Sequence, residues 1–202
     1  MKLVVIGGHS RSIGKTSLMS GVIAASRERR WTAIKVTQYG HGICSDHGDE
    51  CSCAMEDPNC SYAVTREDDP NSGTDTSRFL KAGAEDVYWV RTRLGQLDKA
   101  LPEMRRLLSK REFVIVESNS ILRFFDPDVY LPVLHFQIED FKLSSKLYLN
   151  RADAYAVVGT PLKKAGWRGV DLQTLESKPL FRITPPGYFS SSVMQFISER
   201  LA

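Results

Sequence analysis

The opening sixteen residues constrain this chain more than any other stretch. Lys2–Ile6 is a short apolar run that stops at Gly7-Gly8, and Gly14-Lys15-Thr16 follows six residues later at the start of a helical pattern. A buried strand, a glycine-bearing turn and a helix in that order make a phosphate-binding loop. Backbone N–H groups and the positive helix end converge on an anion, the lysine reaches the outer phosphates, and the Thr16 hydroxyl serves Mg²⁺. Ser10, Arg11, Ser12, Ile13, Gly14, Lys15, Thr16 and Ser17 are therefore the expected nucleotide-binding residues. The strict motif has a glycine where this chain has His9, with Gly8 one place earlier. His9 reads as a plain loop histidine, and Arg11 as a phosphate contact.

Apolar residues Leu18, Met19, Val22, Ile23 and Ala25 continue the helix after Lys15, and Arg27, Arg29 and Arg30 are expected to close it at about Arg30, where the dipole favours cations. Trp31–Val36 returns to strand character. A short helix is expected from Thr74 to a stop at Gly83, a strand at Val87–Val90, and a helix through Leu97, Leu101, Met104 and Leu108 with Pro102 near its start. Glu112–Val116 is a further buried strand, closed by Glu117. Val129–Phe136 reads as extended, Leu143–Arg151 as helical, Ala154–Val158 and Leu180–Thr184 as strands, and Val193, Ile197 and Leu201 as one face of a terminal helix. This alternation implies an α/β fold, a doubly wound, mostly parallel sheet of P-loop NTPase type, in a single domain over residues 1–202.

Composition adds one organisational fact. With 27 Lys+Arg against 24 Asp+Glu, the net charge is +3, too balanced for a general nucleic-acid binder. Between His41 and Pro70, however, eight acids meet one base, so that stretch carries −7 and the remainder +10. It lies in an acidic, cysteine-rich insertion, residues 37–73, after the second strand. No apolar run approaches the ~20 residues of a membrane span, so no membrane association is expected and the cytoplasm is the default location.

Cys44, Cys51, Cys53 and Cys60 pack four thiols into seventeen residues of that insertion. Four soft ligands suit tetrahedral Zn²⁺, or alternatively an iron–sulfur cluster, and His41 or His47 can replace one thiol. Redox or free thiols are the competing reading, because the C-x₂-C knuckle is missing.

The acid that completes a phosphate site should end a strand. Glu117 is that candidate, holding Mg²⁺ through water or orienting an attacking water. Asp75 is the second, although helix capping also accounts for an Asp after Gly73-Thr74. Lys15, Glu117 and Asp75 form the expected catalytic set. Asn150-Arg151-Ala152-Asp153 has the look of a guanine reader but precedes its strand instead of following it, so ATP versus GTP stays open.

The loop ending Gly14-Lys15-Thr16, the strand residues Ala33-Ile34-Lys35, the run Gly73-Thr74-Asp75-Thr76-Ser77-Arg78 leading to Ala82-Gly83-Ala84, and the terminal Phe196–Leu201 together resemble the MobB-type molybdopterin-guanine dinucleotide biosynthesis proteins. The resemblance implies a GTP-binding P-loop protein with weak GTPase activity, often a homodimer, that assists a molybdopterin guanylyltransferase in attaching a nucleotide to molybdopterin. It places Gly14, Lys15 and Thr16 on phosphates and Mg²⁺, and Asp75 and Glu117 near the nucleotide. Val36, Thr74 and Ser118 depart from the family's histidine, lysine and glycine, and the cysteine insertion and longer C-terminal half are additions. Two other functions compete: a small-molecule kinase with Asp75 or the stretch Asp126–Asp128 as base, and a metal-ordered adaptor switched by nucleotide.

Overall fold

The computed structural model describes residues 1–39, 61–159, 167, 169–170 and 173–202. The expected metal ligands Cys44, Cys51, Cys53 and Cys60, with His41 and His47, lie outside the described residues.

Among the described residues, eight strands form one sheet: β1 (Lys2–Gly8), β2 (Thr32–Tyr39), β3 (Tyr62–Arg66), β4 (Asp86–Arg93), β5 (Phe113–Glu117), β6 (Val129–His135), β7 (Tyr155–Val158) and β8 (Leu180–Ile183). Their lateral order is β3-β4-β2-β5-β1-β6-β7-β8, and every pairing is parallel except that of β3 with β4. The helices are α1 (Lys15–Ala25), α2 (Asp75–Ala82), α3 (Leu101–Leu108), α4 (Leu143–Tyr148), α5 (Gln173–Glu176) and α6 (Ser191–Leu201).

Both faces of the sheet are covered, which is why its central strands read as unbroken apolar runs. Alternate residues of β1 serve different cores. Val4 and Ile6 pack with Leu18, Met19, Val22 and Ile23 of α1, Phe79 of α2 and Ile197 of α6. Leu3 and Val5 pack with Leu97, Met104 and Leu108 around α3 and with Trp167 and Leu175. Turning Leu97 and Met104 to one face is the work of a 3-10 turn, Leu97–Ala100, that feeds α3 at Pro102.

Two expectations about elements are corrected. Helix α1 ends at Ala25, not Arg30, because Ser26 leaves the helical conformation at φ −145°. Its hydroxyl donates to the Val22 carbonyl at 2.7 Å and accepts from the buried Trp31 indole at 2.9 Å, and the three arginines follow in a 3-10 turn and its left-handed cap. Within the span read as the insertion, the described residues supply the end of β2 and the antiparallel edge strand β3.

Candidate functional site

The loop after β1 and the carboxyl ends of β2 and β5 open on a cleft of about 1000 Å³. Arg11, Ser12, Ile13, Gly14, Lys15, Thr16 and Ser17 all line it. Gly14 caps α1 at φ 94°, a left-handed conformation that glycine adopts without strain, and a Cβ there would lie 2.2 Å from the Tyr188 ring. The N-cap residue Gly14 brings no side chain to the N–H groups of α1's first turn, and no acid lies in that turn. In α2 and α6, by contrast, Thr74 and Ser190 accept from the first-turn amides. The open end of α1 thus offers donors and the positive end of a dipole to the cleft.

Charges are arranged around that end. The Thr16 hydroxyl donates to Glu117 Oε2 at 2.8 Å, and Glu117 is buried. Lys35 of β2 bridges two carboxylates, hydrogen-bonding Asp75 and standing 3.5 Å from Glu117 Oε1. Burial works against the Lys35 charge, but Glu117 and Asp75 outweigh it and hold the amine above the usual lysine range. Asp75 shows the reverse: burial favours the acid, yet Lys35 and then Arg78 hold its carboxyl below the usual range. Arg78 stands 3.6 Å from Asp75 and donates to Ser17 Oγ at 2.7 Å. Lys15 donates to the Ser10 carbonyl at 2.9 Å, and burial lowers its affinity for a proton despite nearby Glu117.

Two side chains hold the loop from beneath. His9 is fully buried: its Nε2 accepts from the His135 amide at 3.0 Å and its Nδ1 donates to the Asp140 carbonyl at 2.7 Å. Phe141 and Trp167 lie against the ring, each with centroids 5.0 Å away. Burial lowers the His9 pKa to about 4, so the ring is neutral at neutral pH. The plain loop histidine expected from sequence is instead an internal post. Asn119 clasps Gly8 on both sides, accepting from its N–H at 3.0 Å and donating to its carbonyl at 2.9 Å. Gly7 must lack a side chain here, since a Cβ would fall 2.2 Å from Asn119 Oδ1.

Among the expected site residues, Lys15, Thr16, Asp75 and Glu117 converge on the cleft, as do Arg11, Ser12, Ile13, Gly14 and Ser17. Ser10 does not line it; its hydroxyl donates to the Asp140 carboxylate at 2.7 Å. Thr74, not Asp75, caps α2, so capping does not account for the aspartate. Asp128 accepts from the Leu3 amide at 2.7 Å and Asp126 pairs with Arg151, at the opposite end of the strands from the cleft, which removes Asp126–Asp128 as an acceptor base. Asp153 of the guanine-reader look-alike accepts from the Tyr130 amide and pairs with Arg200, and so serves the fold.

Lys35, Asn119, Lys142 and Tyr188 had no role assigned from sequence. Lys35 sits on a strand already quoted for the resemblance and Asn119 two residues past Glu117, so proximity to the motif was the available signal. Lys142 and Tyr188 left none. The Thr16 hydroxyl and the Glu117 carboxylate are hard oxygen donors beside the open end of α1, and so fit Mg²⁺. Among the described residues no group of three His, Cys, Asp or Glu side chains is placed to hold a metal. Nor is any described helix long and apolar enough to cross a membrane.

No protein-family model matches the sequence, and no curated protein does. Solved structures do match. HypB from Helicobacter pylori in complex with nickel is 15% identical with a TM-score of 0.51, over 98% of this chain and 86% of that one. LpxK from Aquifex aeolicus in complex with ATP is 14% identical with a TM-score of 0.45, over 90% of this chain and 53% of its own. MinD in the MinC:MinD cell division complex from Aquifex aeolicus gives 13% and 0.46, over 99% and 86%. The likeness to HypB is one of fold, an α/β architecture around a mostly parallel sheet.

Proposed function

We propose that this chain binds a nucleoside triphosphate with Mg²⁺ and hydrolyses it slowly, with GTP favoured through the MobB-type resemblance. The observation that carries the reading is the uncapped N-terminus of α1, set in a cleft with the Lys15 ammonium and the Thr16–Glu117 pair. The loop amides and Lys15 hold the phosphates, while Thr16 and Glu117 hold Mg²⁺, which neutralises phosphate charge. Glu117 positions the attacking water, and Lys35 and Arg78 fix Asp75 at the rim. In the finer reading the chain assists a guanylyltransferase in attaching a guanine nucleotide to molybdopterin; its support is the run Gly73–Ala84. For the four cysteines the proposal is thiolate coordination of Zn²⁺, read as one zinc per purified chain.

Calorimetric titration with Mg·GTP and Mg·ATP tests the reading. Lys15→Ala should weaken binding by about tenfold or more, the scale of a lost charge-assisted hydrogen bond. Glu117→Gln should lower the hydrolysis rate by roughly 10²-fold or more with the fold intact. Unchanged affinity in Lys15→Ala defeats the proposal.

The cleft also favours a second reading, transfer of the phosphoryl group to a small acceptor, because it extends past the phosphate-binding residues to Thr37, Gln38, Leu94 and Leu147. Nucleotide turnover stimulated by added acceptors would mark it.

A further inference from the structure

Among the described residues, five cationic side chains line the cleft: Arg11, Lys15, Lys35, Lys142 and Arg78, the last standing 3.6 Å from Asp75. Lys35 is neutralised by Asp75 and Glu117. Lys15, from the first turn of α1, makes its hydrogen bond to a backbone carbonyl. Lys142 comes from a separate element, the loop between β6 and α4, and no carboxylate among the described residues forms an ion pair with its ammonium. Two lysines from separate elements therefore face one space without a paired acid, an arrangement that an anion between them would relieve.

The Lys142 backbone is not free to drift from the phosphate loop. Its N–H donates to the His9 carbonyl at 2.8 Å, and two residues earlier Asp140 accepts from His9 Nδ1 through its carbonyl and from Ser10 Oγ through its carboxylate. The His135 and Val133 backbones hold His9 from the strand side. The β6–α4 loop is thus riveted to the turn that receives the phosphates, and Lys142 is carried at a fixed register beside it. Burial, then the charges of Lys15 and Arg11, lower the Lys142 pKa to about 8 against the pull of Asp140 and Glu117, so the amine is charged at neutral pH.

Resting on the nucleotide-binding reading above, we propose that Lys142 is a second phosphate-binding lysine, contacting the terminal phosphate of the bound nucleoside triphosphate from the β6–α4 loop. The residue then makes the site discriminate tri- from diphosphate, since the group it touches is the one hydrolysis removes.

The test compares Mg·GTP with Mg·GDP, and Mg·ATP with Mg·ADP, on wild type, Lys142→Met, Lys142→Arg and Lys15→Ala by calorimetry. Lys142→Met keeps the backbone bond to His9, and its thermal midpoint is recorded alongside. The expected result is a loss of about tenfold or more in triphosphate affinity, with diphosphate affinity within about twofold and recovery of most of the loss in Lys142→Arg. Equal loss for tri- and diphosphate makes Lys142 a structural or inner-phosphate residue and overturns the proposal. No loss for either also overturns it and points to an acceptor's anion as the partner. Lys15→Ala should weaken both nucleotides, so a wild type that binds and a Lys142→Met whose preference for triphosphate over diphosphate is unchanged refutes this inference alone. A wild type that binds neither nucleotide refutes the underlying reading and this one with it.

Discussion

His9 stores a pH dependence in the floor of the phosphate loop. Its ring is neutral, fully buried and bonded at both nitrogens, with a pKa lowered from 6.5 to about 4 by burial. In the unfolded chain the ring takes a proton near pH 6.5, while in the folded chain it resists until about pH 4. Its stabilising contribution is therefore complete above pH 6.5 and is lost progressively as pH falls from there toward 4. At 1.36 kcal/mol per unit, lowering the pH to 5 removes about 2 kcal/mol. Urea unfolding at pH 7.5 and pH 5.0 should show this loss in the wild type, and His9→Gln should show a difference smaller by that amount. An identical difference in both proteins would remove His9 from the account. The sequence displayed the histidine but not its function, because its partners, His135 and Asp140, lie more than a hundred residues away. Lys15 and Thr16 were legible for the opposite reason: the groups that define them are their own neighbours in the turn.

Helix ends were legible wherever the stop signal is local. Gly83, at φ 104°, closes α2 where the sequence places it, and Thr74 opens it by accepting from the Ser77 amide. That cap is tied to the sheet edge, since the Thr74 hydroxyl also donates to Glu67, just past β3. Burial works against the Glu67 charge, but the hydroxyls of Thr76, Thr74 and Ser72 and the Asp69 amide together outweigh it and hold the carboxyl below its ordinary pKa. Thr74→Ala should cost about 1 kcal/mol in denaturant unfolding, the usual value of a lost N-cap. Thr74→Ser should restore it, whereas a wild-type midpoint in the alanine variant would show the cap to be idle. The end of α1 was misplaced because the Ser26–Trp31 hydrogen bond that draws the chain out of the helix needs the indole to be buried, a tertiary fact. Strand β3 escaped notice because it pairs antiparallel with β4 at the sheet edge, and its half-exposed residues carry no buried-strand pattern.

At the scale of the molecule, alternation of strands and helices was enough to imply a doubly wound sheet, but not its lateral order. That β1 lies between β5 and β6 depends on crossovers that no local pattern encodes. The placement matters because chain direction across the sheet reverses there, and ligands of open α/β sheets bind at that switch, outside the carboxyl ends of the strands. The cleft accordingly gathers residues from Gly8 to Tyr188: the loop before α1, Lys35 of β2, Asp75 of α2, Glu117 of β5, Lys142 before α4. A ligand held by all of these must be released when the sheet unfolds, so binding adds to global stability by mass action. At a free concentration one hundred times its dissociation constant, the gain is about 2.7 kcal/mol. For a domain of about 200 residues that corresponds to a rise of roughly 5–10 °C in thermal midpoint. Mg·GTP at that excess should produce such a shift in the wild type, and Lys15→Ala at the same nucleotide concentration should show about half of it or less. A rise of equal size in Lys15→Ala would mean that the stabilising ligand sits elsewhere than on the α1 turn.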